Sequence, residues 1–165
     1  MAESPDFDSL VADYYRPLYQ FAFTLTRDEA DACDLTQQTF SIWASKGHQL
    51  RDKSKVKTWL FTTLHREFLG SRRRQTRFPH VEVDSIAEEL PVTPPPSVNQ
   101  LDSGHLLAAL ARLDDLYQAP VALFYLQDYS YNEIAEVLEV PVGTVKSRLA
   151  RGIGRLHDML TDAHP

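Results

Sequence analysis

The chain has 165 residues, 43% of them hydrophobic, and a formal net charge of −6, which suits one ordinary domain or two small ones and excludes disorder throughout. No stretch reaches the apolar length of a membrane span, and the acidic start MAESPDFDSL lacks the basic and apolar regions of a secretory signal, so a cytoplasmic protein is expected. The single cysteine, Cys33, excludes an internal disulfide, and six scattered histidines build no metal site, so neither a metal nor a cofactor is expected.

Apolar residues recur at three- and four-residue steps in three successive stretches. Leu10, Val11, Tyr14, Tyr15, Leu18, Phe21, Ala22 and Leu25 form the first, Leu35, Thr39, Ile42 and Trp43 the second, and Val56, Trp59, Leu60, Thr63, Leu64 and Phe68 the third. This periodicity predicts three helices packed on one another. Cys33 falls inside the second pattern, where it is read as a buried small apolar residue rather than a redox centre. Trp59 and Phe61 could stack on an unpaired base, but Trp59 lies on the apolar stripe and is read as core.

The following segment, ELPVTPPPSVNQLDSG, contains Pro91, Pro94, Pro95 and Pro96, which lack backbone N–H groups and push the preceding residues toward extended conformations. No helix can run through it. The chain therefore divides into an N-terminal unit (1–78), an acidic proline-rich linker (79–103) and a C-terminal unit (104–165). The last opens on Leu106, Leu107, Leu110, Leu113 and Leu116 and has no alternating strand pattern of useful length, so the whole chain is expected to be all-α.

Ser130 followed three residues later by Glu133 is a capping-box signature, predicting a short helix through Ile134, Ala135 and Leu138. Pro141 and Gly143 interrupt it, and a longer helix is expected from about Thr144, giving the outline of a helix-turn-helix. At 100° per residue, Val145, Leu149, Ile153 and Leu156 of that second helix share one side. Ser147, Ala150, Arg151 and Gly154 share the other, flanked by Lys146, Arg148 and Arg155.

Charge is unevenly spread. Residues 1–80 carry 12 basic and 10 acidic side chains, residues 81–111 five acidic and no basic ones, and residues 112–165 five basic and eight acidic ones. Yet Val140 to Leu156 holds four cations and no acid. A helix with small residues and cations on its outer face can enter the major groove, its first turns reaching base edges while flanking cations hold phosphates.

There is no phosphate-cradling glycine loop and no nucleophile elbow, so a binding protein is expected rather than an enzyme. One reading of these features is a dimeric helix-turn-helix repressor or activator, with the N-terminal unit serving assembly. An RNA-binding adaptor would need aromatic platforms outside the core, and none stands out.

Three segments carry a family resemblance. PVALFYLQDYSYNEIAEVLEVPVGTVKSRLARGIGRL resembles region 4 of bacterial sigma factors of the extracytoplasmic-function (ECF) group, DEADACDLTQQTFSIW resembles their region 2.2, and VKTWLFTTLHREFLGSRRR their regions 2.3 and 2.4. The resemblance spans about Phe7 to Leu160 and implies a protein that binds core RNA polymerase, directs it to promoters and helps separate the strands at the −10 element. It implies no cofactor and no enzymatic activity. Asp31, Asp34, Gln37 and Gln38 would face the β′ coiled coil, and region 4 the β flap. The −10 candidates are Lys55, Lys57, Arg66, Arg72, Arg73 and Arg74, and the −35 candidates Thr144, Lys146, Ser147, Arg148, Arg151 and Arg155. Between Lys46 and Arg77 lie ten cations against Asp52 and Glu67, which suits a phosphate backbone. An anti-sigma protein enters as a further candidate partner. Four positions depart from the family pattern: Arg66 stands where an asparagine is common, Cys33 and Gln38 replace glutamates, and Ala150 is small.

Overall fold

The structure is a computed structural model describing residues 7–77 and 101–162, with side chains placed for 7–74 and 105–161. Most of the predicted linker lies outside the described residues, although the helix that follows already begins at Leu101.

The N-terminal unit is three helices, α1 (Phe7–Thr26), α2 (Glu29–Lys46) and α3 (Val56–Arg77), with two short 3-10 turns, Gly47–Gln49 and Lys53–Lys55, before α3. α1 buries Leu10, Leu18, Phe21, Ala22, Phe23 and Leu25, continuing through Pro17. It stops because Arg27 adopts the left-handed conformation, φ 60°, with its N–H donating to the Phe23 carbonyl at 2.8 Å. Asp28 then caps α2 by accepting from the Asp31 N–H at 2.9 Å. Thr36 and Thr39 are buried in α2 at no polar cost, because their hydroxyls donate to the Ala32 and Leu35 carbonyls at 2.7 and 2.8 Å. Phe40 is also buried, though its position lay off the periodic set.

The C-terminal unit comprises α4 (Leu101–Ala111), α5 (Asp115–Gln127), α6 (Tyr131–Leu138) and α7 (Val142–Asp162). Among the described residues every regular element is helical, as expected. The capping box forms in full: Ser130 Oγ accepts from the Glu133 N–H at 3.1 Å, and the Glu133 carboxylate accepts from the Ser130 N–H at 2.9 Å. α6 ends where Glu139 turns left-handed, φ 59°. α7 begins two residues before the predicted Thr144, since the Pro141 carbonyl takes up the first orphan N–H groups, those of Thr144 and Val145. One predicted core residue is misplaced: Leu116 is 53% exposed, because α4 stops at Ala111 and the turn to Asp115 changes the helical phase.

The two units are packed together. α1 lies against α4 and α5, and α3 against α6, so a single apolar core runs through both units, from Leu10 to Leu156. α7 rests on α4, α5 and α6 and, among the described residues, on no helix of the N-terminal unit.

Candidate nucleic-acid interface

α7 divides as its periodicity predicts. Val145, Leu149 and Leu156 are buried and Ile153 half-buried, while Lys146, Ser147, Ala150, Arg151, Gly154 and Arg155 are exposed and Thr144 and Arg148 lie between. Gly152 is the residue the stripe missed. It is buried, and a Cβ there would fall 2.5 Å from Val121 Cγ2, so its missing side chain lets α7 approach α5. Along the outer face, Ala150 and Gly154 leave an open groove of about 550 Å³ lined by Tyr117, Arg151, Arg155 and Asp158. Arg155 is held to this face by Asp114 at 3.1 Å and by the Tyr117 ring 5.7 Å below its guanidinium. Ser147 Oγ donates to the Thr144 carbonyl at 3.1 Å.

A second cationic surface follows the loop before α3 and α3 itself. Arg73 and Arg74 are exposed near its end. The other four candidates meet the C-terminal unit. Lys55 Nζ lies 3.2 Å from a Glu136 carboxylate oxygen, and Arg66 donates twice to Glu139, at 2.6 and 2.8 Å. Arg72 reaches Asp115 at 2.6 Å, and Lys57 Nζ sits 4.9 Å over the Tyr129 ring. Bidentate bonding holds the Arg66 guanidinium charge more firmly and the Glu139 carboxyl below its ordinary range.

Behind these pairs, Phe61 is fully buried between Phe21 and Tyr129, with ring centroids at 5.5 and 5.7 Å, so it offers no stacking platform. Trp59 is half-buried edge-on to Trp43 at 5.1 Å, consistent with a core role. His65 stacks on Phe21, and burial, opposed by Glu139 and reinforced by Arg148, pushes its pKa down to about 4. Sequence reasoning missed Arg27, whose guanidinium donates to the Leu113 carbonyl at 2.9 Å and reaches Asp115 at 3.4 Å. It also missed the acidic partners Asp115, Glu136 and Glu139.

A third surface lies on α2, where Asp31, Asp34, Gln37 and Gln38 are exposed within one 100° band. Partial desolvation and the neighbouring Asp28 and Asp34 raise the Asp31 carboxyl pKa. Gln38 donates to Glu67 of α3 at 2.7 Å. Cys33 is half-buried rather than buried: its sulfur contacts the Tyr15 hydroxyl and accepts from the Gln37 amide, both at 3.4 Å. That contact, with burial, pushes the Tyr15 hydroxyl up to about 12. Among the described residues, no group of three or more His, Cys, Asp or Glu side chains could hold a metal ion, and no helix is long and apolar enough to cross a membrane.

Comparison with known proteins adds two family matches, to "Sigma-70 region 2" over residues 10–78 and to "Sigma-70, region 4" over residues 104–156. The chain is 32% identical to the ECF RNA polymerase sigma factor SigE of Mycolicibacterium smegmatis, over 96% of this chain and 63% of that protein. It is 31% identical to the ECF RNA polymerase sigma factor SigL of Mycobacterium tuberculosis, over 90% of this chain and 85% of that one. Among solved structures it is similar to the sigma factor RpoE crystallised with the anti-sigma factor NepR from Bartonella quintana. The TM-score is 0.76 at 28% identity, covering 94% of this chain and 97% of RpoE.

Proposed function

The chain belongs to the ECF group of RNA polymerase sigma factors, and from that premise we propose that it binds core RNA polymerase, directs it to promoters and supports strand separation at the −10 element. The observation that carries this reading is the pair of sigma-70 segments, region 2 and region 4, in their proper order on one chain. A dimeric repressor would not need the first of them. Transcript synthesis belongs to the core enzyme, so the chain itself contributes no catalytic step, and it works in the cytoplasm, where polymerase is.

In this reading residues 1–78 bind polymerase and the −10 element, 79–103 form the linker, and 104–165 read the −35 element. α7 enters the major groove with Thr144, Lys146, Ser147 and Arg151 toward base edges, and Arg148 and Arg155 hold the backbone. Exposure of Lys146, Ser147 and Arg151 supports that assignment. Lys55, Lys57, Arg66 and Arg72 to Arg74 serve the −10 DNA, giving salt-dependent binding. Asp31, Asp34, Gln37 and Gln38 meet the β′ coiled coil, region 4 meets the β flap, and an anti-sigma protein is a further partner.

The test is transcription of a fragmented genomic library by purified core polymerase with and without this protein, followed by mapping of RNA 5′ ends. New start sites sharing two upstream elements at constant spacing are expected; specific duplex binding without new starts would favour a repressor instead. Arg151→Ala is expected to weaken −35-dependent initiation by about 1–3 kcal/mol of recognition while leaving core binding intact. Loss of core binding would overturn that role.

A further inference from the structure

In the free chain, the cations assigned to the −10 element are already occupied. Lys55, Arg66 and Arg72 each pair with a carboxylate of the C-terminal unit, on Glu136, Glu139 and Asp115 respectively. Arg27 joins Arg72 on Asp115, and Lys57 lies over Tyr129. The charge pattern fits this arrangement. The Lys46 to Arg77 segment is strongly cationic, while the acids of the C-terminal unit avoid Val140 to Leu156 and gather on α5 and α6, which face the N-terminal unit.

We propose that the acidic rim formed by Asp115, Glu136 and Glu139 is a built-in decoy for promoter phosphates, latching the free chain shut over its −10 surface while leaving the −35 face of α7 open. The inference rests on the sigma-factor reading for the role of the −10 cations. A guanidinium bonded through Nε and Nη2 to one carboxylate cannot offer the same two donors to a phosphate. Rim and DNA backbone therefore compete for the same side chains.

The latch is suited to release. Each paired side chain keeps at least 45% of its exposure, so the links are individually weak and screened by salt. Dense promoter phosphates, presented once polymerase holds the N-terminal unit, can displace them one by one. The buried Phe61–Tyr129 contact behind the rim keeps the closed form ordered until then.

The experiment compares the full chain with the triple variant Asp115→Asn/Glu136→Gln/Glu139→Gln and with a control of equal charge change, Asp8→Asn/Asp13→Asn/Glu29→Gln, at sites away from the rim. Affinity of the free proteins for a fluorescent single-stranded −10 oligonucleotide is read by anisotropy at low salt, and overall dimensions by small-angle X-ray scattering. The rim variant is expected to bind about fivefold or more tighter than both the unmodified chain and the control, and to expand. Equal tightening in both variants, or no change in either, overturns the latch. If the triple variant misfolds by circular dichroism, Glu139→Gln alone and a salt titration of the unmodified chain decide on the same two readouts. Library transcription separates the failures: no new start sites would sink the sigma-factor reading, whereas new starts with an unchanged rim variant would sink the latch alone.

Discussion

His65 shows how one side chain records the packing of the two units. Its ring is stacked on Phe21 of its own unit, while the charges that act on it, Glu139 and Arg148, come from the other. Because burial lowers its pKa from 6.5 to about 4, the folded chain binds a proton less readily than the unfolded one. His65 therefore contributes stability that is fully present above pH 6.5 and is lost as the pH falls toward 4, amounting to at most about 3 kcal/mol. His65→Leu, which cannot protonate, is expected to flatten the fall in thermal midpoint across that window. Parallel curves for variant and unmodified chain would show that the ring is not held neutral by burial. The sequence marked His65 only as one of six scattered histidines, since nothing local to it predicts which helix covers it.

At the scale of the helix, α7 combines a seat and a reading face. The seat depends on Gly152, where an added Cβ would also come within 3.0 Å of Tyr117, whereas Gly154, two residues on, has open space around it. Gly152→Ala is expected to cost about 1–3 kcal/mol by forcing α7 off α5, and Gly154→Ala to gain up to about 1 kcal/mol from helix propensity. Urea unfolding of the two variants distinguishes these effects, and equal midpoints would refute the close α5–α7 contact. The heptad-like stripe, the capping box and the cationic face of α7 were legible because each is a local pattern. Leu116 was misread because a turn of three residues changes helical phase, which no periodicity on either side reveals.

For the molecule as a whole, the decisive feature is a shared core. Trp43 and Trp59 both lie in the N-terminal unit, so fluorescence reports that unit alone, whereas circular dichroism reports all seven described helices. Thermal unfolding followed by the two signals is expected to coincide, because separating the units exposes apolar surface including Phe61 and Tyr129. Distinct midpoints would mean that the units fold independently of their contact.

The amino-acid sequence by itself determined the all-α class, the helices, the acid-free reading face of α7 and, through motif resemblance, the family. These depend on near-neighbour spacing: three- and four-residue apolar steps, a cap three residues from its partner, and cations on one helical face. Only the tertiary structure decided that the two units close on each other, that Arg66 and Lys55 meet carboxylates 73 and 81 residues away, and that Arg27 holds a left-handed turn while bonding to the other unit. Such pairings join residues across the linker. Charge counts foretold that the acids of the C-terminal unit lay off α7, but which cations they would meet depends on how α3 and α6 pack, and that is set by the apolar surfaces of both units together.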